Sequence, residues 1–142
     1  MDSVLNISEA ANLALHAGMV LAKAQDKPVS ARQMAGALQV SYDHLAKVLQ
    51  RLTKAGLVRA TRGPTGGFVL AKDPRHIRLL ALYEAIDGKF TNKRCLFGRK
   101  SCPGGACVMG DLLDSLNHQV REHLAGRRLS DFVPEKTGKG AS

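Results

Sequence analysis

The chain of 142 residues contains no tryptophan, and aromatic residues make up only 4% of it. Proteins that bind single-stranded nucleic acid by stacking its bases need several aromatic side chains, so this composition disfavours that class. The chain also lacks an apolar run of membrane-spanning length, and its first six residues lack the basic start and apolar core of a signal peptide. We therefore expect a cytoplasmic protein with no membrane partner.

Acidic residues are scarce and unevenly placed. Twelve Asp and Glu oppose 21 Lys and Arg, which gives a formal net charge of +9. No acid lies between Asp43 and Asp73, and the basic residues of that stretch are Lys47, Arg51, Lys54, Arg59, Arg62 and Lys72. Such a charge balance favours a polyanionic partner, and nucleic acid is the first candidate, although a basic run can also be a solvated surface.

Only three cysteines are present, and all of them lie in one glycine-rich loop without acidic residues: Cys95, Cys102 and Cys107. An odd number of cysteines in a reducing compartment argues against a disulfide framework. Clustered cysteines bind or react more often than they pack. The trio therefore indicates metal binding or redox chemistry.

The hydrophobic pattern predicts a mainly α fold. An Ala- and Leu-rich first helix covers residues 7–24, with Asn6 or Ser8 as its N-cap. Ser30 and Gln33 match a capping box, which predicts a short second helix that ends at Leu38. Both helices precede the basic stretch.

The basic stretch itself predicts a helix-turn-helix with a wing. Ser41 caps a helix that stops at Gly56, and its apolar stripe consists of Leu45, Val48, Leu49 and Leu52. A tight turn joins this helix to the one before it, and its outer face is polar and basic. Residues 57–60 and 68–70 read as two short strands around a turn-rich tip. A basic hairpin after a recognition helix is a wing.

Two further helices are predicted downstream. Asp73 and Pro74 are the cap and first residue of a helix that ends at Gly88. After the cysteine loop, a long helix ended by Gly126 carries an apolar stripe of Val108, Leu112, Leu113, Leu116, Val120 and Leu124. Its spacing fits a core-facing helix as well as a dimer helix. Dimerisation is favoured because the winged domain already closes its own core.

Three pieces of sequence together resemble a known family. They are the wing motif Arg62-Gly63-Pro64-Thr65-Gly66-Gly67-Phe68, the preceding segment at residues 52–58, and the downstream cysteine trio. This combination resembles the IscR/NsrR/RirA group of bacterial regulators, the Rrf2 family, and the similarity extends from the first helix through Phe132. The resemblance implies a homodimeric winged-helix transcription factor, most simply a repressor, that binds a promoter operator in double-stranded DNA. It also implies an iron–sulfur cluster at Cys95, Cys102 and Cys107 that controls DNA affinity.

The chain departs from the family pattern around that cluster. Many members have five residues in each gap between cysteines, whereas this chain has six and then four. The position of the histidine ligand of IscR-like members is Gly110, which cannot coordinate iron. Nitric-oxide-sensing members recruit a carboxylate from the first helix of the other subunit, and the position that aligns best is Asn12, with Glu9 one turn earlier. A 2Fe-2S and a 4Fe-4S cluster both remain open.

Candidate DNA contacts lie on three predicted elements. The first turns of the recognition helix, which meet base edges in helix-turn-helix proteins, contribute Ser41, Tyr42, Asp43, His44 and Lys47. The start of the preceding helix contributes Ser30 and Arg32 as phosphate contacts, and the wing contributes Arg59, Arg62, Thr65 and Gly66. Arg51 fits either a DNA contact or intramolecular packing.

Four segments follow from these predictions: a winged helix-turn-helix domain at 1–90, a cysteine cluster-binding loop at 91–108, a dimerisation helix with a packed C-terminal segment at 109–133, and a disordered tail at 134–142. The leading functional hypothesis is a regulator that senses redox state, nitric oxide or iron–sulfur status through the cluster. The alternative is a cluster-free winged-helix regulator that senses oxidants through its thiols or senses another ligand. Zinc is a rival occupant of the cysteines. An enzyme is disfavoured because no paired acid and base groups are evident.

Overall fold

A computed structural model describes residues 7–91 and 108–133 of the chain. Its elements, in chain order, are α1 (Glu9–Ala24), α2 (Ala31–Leu38), α3 (Tyr42–Lys54), β1 (Val58–Thr61), β2 (Gly67–Leu70), a first 3-10 turn (Pro74–His76), α4 (Leu79–Asp87), α5 (Leu112–Gly126) and a second 3-10 turn (Leu129–Phe132). This helical architecture with one small antiparallel sheet confirms the predicted fold class. The predicted tail and all but the two end residues of the predicted cysteine loop lie outside the described residues.

The first three helices begin at serine caps. The hydroxyl oxygens of Ser8, Ser30 and Ser41 each accept a hydrogen bond from the backbone N–H three residues later, at 3.0, 3.1 and 3.3 Å. The Gln33 side chain also accepts from the backbone N–H of Ser30 at 2.9 Å, which completes the predicted capping box. Each cap stabilises its helix by about 1 kcal/mol.

The hydrophobic core lies between α1, α3 and α4. On α1 the buried residues are mostly alanines, and small side chains let neighbouring helices approach closely. The closest approach is at Gly18, where an added Cβ would lie 2.8 Å from Leu82 Cδ1. On α3 the predicted stripe of Leu45, Val48, Leu49 and Leu52 is buried. No helix within the two described ranges is long and apolar enough to span a bilayer.

The wing is an antiparallel hairpin in which Val58 pairs with Leu70 and Thr61 with Gly67. A third backbone segment joins it, because Val29 and Phe68 exchange two backbone hydrogen bonds of 3.0 and 2.8 Å. An added Cβ at Gly67 would lie 2.6 Å from the Val29 carbonyl oxygen, so only glycine fits at this contact. The segment before α2 is thereby attached to strand β2 of the wing.

The predicted helix from Pro74 to Gly88 is wrong in its first third. Asp73 caps only the first 3-10 turn, the backbone becomes extended at Ile77, and α4 begins at Leu79. The Ile77 carbonyl accepts from Leu129 N at 2.9 Å, and Leu79 N donates to the Arg127 carbonyl at 3.0 Å. These bonds to a segment some 50 residues later hold residues 77–78 in a β-bridge, which a continuous helix would not permit.

The predicted stripe of the last long helix is also corrected at its start. Val108 lies in a turn before α5 and is 92% exposed, and α5 begins only at Leu112. Its buried residues, Leu113, Asn117 and Leu124, form the face that packs against α4. The second 3-10 turn buries Leu129 completely, which confirms the predicted packed segment.

Candidate nucleic-acid interface

The first turns of α3 present an exposed polar surface. Tyr42, Asp43, His44 and Lys47 are exposed, whereas the apolar stripe on the opposite side of the helix is buried. Within residues 7–91 and 108–133, no ion pair engages Asp43, His44 or Lys47. Their donors and acceptors are therefore available to an external partner.

A cation–π contact joins the start of α2 to the start of α3. The guanidinium carbon of Arg32 lies 4.6 Å from the centre of the Tyr42 ring, which is within the range of a favourable interaction. Ser30 and Ser41 lie just before these two helices, and their oxygens accept the capping bonds described above. Their hydroxyl protons remain available for phosphate, so the predicted contact and the observed cap are compatible.

The exposed wing residues include Arg59, Arg62 and Thr65. Gly66 differs from them because its backbone N–H donates to the Gly63 carbonyl at 2.9 Å, and an added Cβ would lie 2.4 Å from the Thr61 carbonyl oxygen. The structure therefore assigns Gly66 a part in forming the turn. Arg59 and Arg62 supply the positive charge of the hairpin.

Arg51 has an intramolecular partner. Its Nη2 donates to the backbone carbonyl oxygen of Ile86 at 2.5 Å, near the C-terminal end of α4. A cation is favourable there because the last carbonyls of a helix carry partial negative charge. This bond fits the packing role predicted for Arg51 and connects α3 to α4, while its DNA contact stays a prediction.

The end of α4 is also bonded to α1. The Asp87 carboxylate accepts from the Ser8 backbone N–H at 3.1 Å and from the Ser8 hydroxyl at 2.5 Å. Beyond the helix, Phe90 N donates to the Glu84 carboxylate at 2.9 Å, and the Phe90 ring lies 5.3 Å from that of Tyr83. Burial raises the pKa of Tyr83, and the nearby charges of Asp87 and Glu84 add to this effect.

These bonds matter because the cysteine segment follows α4 directly. Cys95, Cys102 and Cys107 themselves lie outside the described residues. The two candidates for a fourth ligand, Glu9 and Asn12, are exposed on the first turns of α1. Neither side chain has a hydrogen-bond partner in the described parts of the chain. Those parts contain no group of three or more His, Cys, Asp or Glu side chains that could hold a metal ion.

The donor set available to an iron–sulfur cluster is chemically suitable. Three thiolates are the ligands that iron–sulfur clusters prefer, and the carboxylate of Glu9 could complete the set. Asn12 offers only a neutral amide, which is a weaker donor. On chemistry alone, the residues of this chain fit such a cluster.

Sequence reasoning missed the two long-range attachments of this region. Val29, which binds the wing, lies in a short connection without a pattern of its own, and Asp87 is 79 residues from its partner Ser8. An Asp at the C-terminal end of a helix is unfavourable, because its negative charge adds to the partial negative charge of the last carbonyls. The position of Asp87 was therefore the one local signal that another group stabilises its carboxylate.

The chain forms a helix-turn-helix followed by a hairpin wing. Both of these elements carry exposed basic residues, and a buried apolar core lies behind them. These features define a winged-helix DNA-binding protein. Comparison with known families makes the class specific. Residues 7–135 match the model of the Rrf2 family, described as an iron-dependent transcriptional regulator. The chain belongs to this family, whose members are transcriptional regulators and not enzymes.

Individual relatives agree with the family match. The HTH-type transcriptional regulator IscR of Yersinia enterocolitica (serotype O:8 / biotype 1B) is 33% identical over 110 residues, which cover 77% of this chain and 66% of IscR. Among solved structures, CymR of B. subtilis, the global cysteine regulator, matches with a TM-score of 0.73 at 26% identity. The match covers 89% of this chain and 95% of the CymR chain. IscR of T. potens matches with a TM-score of 0.67 at 25% identity, and the match covers 89% of this chain and 85% of the IscR chain.

Proposed function

We propose that this Rrf2 regulator is a homodimer, most simply a repressor, whose affinity for a promoter operator is controlled by an iron–sulfur cluster at Cys95, Cys102 and Cys107. One observation carries the proposal. The cysteine segment follows the end of α4, and that end is hydrogen-bonded to the recognition helix through Arg51 and Ile86. A change in the segment therefore has a short covalent and hydrogen-bonded route to the DNA-reading surface.

In the proposed complex, α3 enters the major groove with its N-terminal turns against the bases. Lys47 donates to guanine, and Asp43 and His44 discriminate among neighbouring base edges. The exposed guanidinium groups of Arg32 and Arg62 contact phosphates from either side of α3, together with Ser30, Ser41, Tyr42, Arg59 and Thr65. The net charge of +9 supports such phosphate binding.

For the cluster, Cys95, Cys102 and Cys107 provide three thiolates, and Glu9 or Asn12 of the other subunit provides the remaining ligand. When bound, a 2Fe-2S or 4Fe-4S cluster supplies an iron centre that reacts with oxidants or nitric oxide. The basic residues of the loop offset the negative charge of the thiolates. Asp87, by accepting two bonds from Ser8, keeps the start of α1 next to the end of α4.

The proposed dimer forms through α5. Leu112 is 50% exposed and Val108 precedes it with a side chain almost fully in solvent, so the described part of the chain leaves this apolar surface uncovered. A two-fold dimer would cover it and would present two recognition helices to paired half-sites. A regulator that binds bacterial operators acts in the cytoplasm, which is the location that we propose.

A cluster-free thiol sensor is the second candidate. The likeness to CymR, a global cysteine regulator, favours it, and the oxidized form of Staphylococcus aureus CymR shares the fold at 22% identity. In this alternative, oxidants react directly with the thiolates of the same three residues, and no iron is required.

Anaerobic purification separates the two candidates. We expect the full-length protein to contain iron and acid-labile sulfide, and its affinity for a promoter fragment to change at least tenfold on exposure to air or nitric oxide. Cys102→Ala should lose the iron and the response but remain folded and DNA-binding. Ser101→Ala, the neighbouring control, should keep both.

A protein that contains no iron after anaerobic purification, yet responds to peroxide through Cys102, would establish the thiol sensor instead. A protein whose DNA affinity is the same under all these conditions would contradict both candidates. Replacing Glu9 and Asn12 in turn, with iron content as the readout, identifies the fourth ligand.

A further inference from the structure

Two arginines that are 50 positions apart in the sequence lie directly opposite each other. Arg78 precedes α4, Arg128 precedes the second 3-10 turn, and the two form an antiparallel β-bridge. The flanking residues make its hydrogen bonds, from Leu79 N to the Arg127 carbonyl and from Leu129 N to the Ile77 carbonyl. Arg78 and Arg128 are therefore a non-hydrogen-bonded pair, the type in which the Cα atoms are closest, at about 4.5 Å.

The two arginine side chains share the exposed face of this bridge. Ile77 and Leu129, the alternate residues, are completely buried, so the opposite face belongs to the core. Because side chains alternate between faces, Arg78 and Arg128 project together towards solvent. They line an open groove of about 660 Å³ whose other lining residues are Arg75, His76, Ser130 and Asp131.

The charge of this groove is not balanced by the protein. Like charges at directly opposed bridge positions repel each other and destabilise the pairing. The Asp131 carboxylate accepts from the Arg128 backbone N–H at 3.1 Å and forms no ion pair with either arginine. Within the described ranges, no other carboxylate forms an ion pair with Arg78 or Arg128.

The nearby Asp73 is already occupied. Its carboxylate accepts two side-chain bonds from Arg75, at 2.9 and 3.1 Å, and a backbone bond from the same residue. These bonds to Arg75 lower the pKa of Asp73 to about 2. Asp73 is thus paired with Arg75 and forms no ion pair with either of the two bridge arginines.

We propose that Arg78 and Arg128 form a binding site for the phosphate group of a small phosphate ester. A phosphate dianion carries two negative charges, which balance the two positive charges of the arginine pair. Its three oxygens can accept hydrogen bonds from the two guanidinium groups and from the Ser130 hydroxyl. A bound dianion also converts the repulsion between the arginines into shared attraction. A single carboxylate would neutralise only half of the charge.

A second groove indicates where the organic part of the ester binds. It has a volume of about 570 Å³ and shares Arg75 and Ser130 with the first groove. Its lining combines the apolar residues Leu70, Pro74 and Val133 with polar and charged ones, which include Gln25, Asp26, Lys72 and Asp73. A mixed lining of this kind suits a small organic group that carries polar substituents. None of the candidate DNA contacts lines either groove, so this site is independent of the proposed function.

Thermal unfolding and calorimetry of the full chain test the site with two probes, inorganic phosphate and phenyl phosphate, in chloride buffer at pH 7.5. We expect both probes to raise the Tm of the wild type, phenyl phosphate more than inorganic phosphate. Arg128→Gln should bind each probe at least tenfold more weakly. Without phosphate, its Tm should equal or exceed that of the wild type, because the repulsion is gone.

Two controls keep the result interpretable. Arg121→Gln removes an exposed arginine from α5 and should bind both probes as the wild type does. Arg78→Lys keeps the charge but removes the guanidinium fork, and should weaken binding by a smaller factor than Arg128→Gln. Equal binding by wild type and Arg128→Gln, or an equal loss in Arg121→Gln, would overturn the proposal.

A DNA arm distinguishes the other source of phosphate. If Arg78 and Arg128 bound the DNA backbone, Arg128→Gln would lower the salt dependence of operator binding by about one unit of slope. We expect that slope to be unchanged. A lowered slope together with no calorimetric binding of phenyl phosphate would refute a small-molecule site.

Discussion

The helices α3 and α5 carry similar apolar stripes in the sequence but use them differently in the fold. On α3 the four residues of the stripe are all buried against the other helices of the domain. On α5 only one face, which includes Leu113 and Leu124, is buried against α4, while Leu112 remains half exposed. The same periodicity thus gives one helix whose hydrophobic side is covered by the described part of the chain and one whose hydrophobic side is only partly covered by it.

The polar sides of the two helices differ as well. The exposed start of α3 carries Lys47 and His44 without ion-pair partners in the described chain, which suits a polyanion. On α5, Arg121 and Glu122 form an exposed ion pair at 3.7 Å, and such surface pairs contribute little to stability. The difference is consistent with the proposed roles, in which α3 contacts DNA and α5 contacts the second subunit.

The first test of this difference between the two helices is Leu49→Ala in α3, for which we expect the largest effect. Leu49 is completely buried, so we expect the truncation to lower the free energy of unfolding by about 3 kcal/mol. Urea denaturation followed by circular dichroism measures the loss. The matched change Leu112→Ala on α5 should cost less than about 1 kcal/mol at concentrations at which the protein is monomeric. Equal costs would show that the two helices are packed alike.

The second test is Leu112→Glu, which places a charge on the surface that we assign to the dimer. Glutamate suits the first turn of a helix, so the fold should persist. Loss of the apolar contact, at about 1.5–3 kcal/mol, corresponds to a dimer dissociation constant raised by roughly tenfold to a hundredfold. Sedimentation velocity measures it.

His118→Glu is the matched control, because His118 is exposed on the side of α5 that faces away from its buried residues. If the dimer dissociation constant of Leu112→Glu equalled that of the wild type, the proposal that α5 forms the dimer interface would be contradicted.

The third test concerns the attachment of α3 to α4. Arg51→Ala removes the bond to the Ile86 carbonyl and should cost about 1.5 kcal/mol of stability, the usual value for a hydrogen bond from a charged donor. Lys54→Ala, an exposed change at the end of the same helix, should stay within about 0.5 kcal/mol. If Arg51 instead acted mainly on DNA, stability would be unaltered and the salt dependence of DNA binding would fall.

The smallest expected effect is that of Arg62→Ala in the wing. One phosphate contact fewer should lower the slope of log affinity against log salt by about one unit and leave stability unchanged. Fluorescence anisotropy over a range of salt concentrations measures the slope. Arg121→Ala, on α5, should leave both quantities as they are. An undiminished slope in Arg62→Ala would contradict its phosphate contact.

Local patterns predict the structure correctly where the interacting groups are close in sequence. The sequence predicts Ser30 and Ser41 as caps, and both are, because a cap bond joins residues only three positions apart. It predicts the hairpin between β1 and β2 for a similar reason, since the turn residues determine the shape of the hairpin. The predicted start of α4 is wrong because Ile77 follows a genuine Asp–Pro start signal but is hydrogen-bonded to Leu129.

The helix-turn-helix, the wing, the basic charge and the cysteine trio can all be predicted from the amino-acid sequence, since each depends on composition or on neighbours within a few residues. The packing of the helices was needed to show that Arg51 binds the Ile86 carbonyl, that Asp87 binds Ser8, and that Arg78 and Arg128 meet on one face. These contacts join residues between 35 and 79 positions apart. Their geometry follows from how the helices pack around a shared core, and no local pattern encodes it.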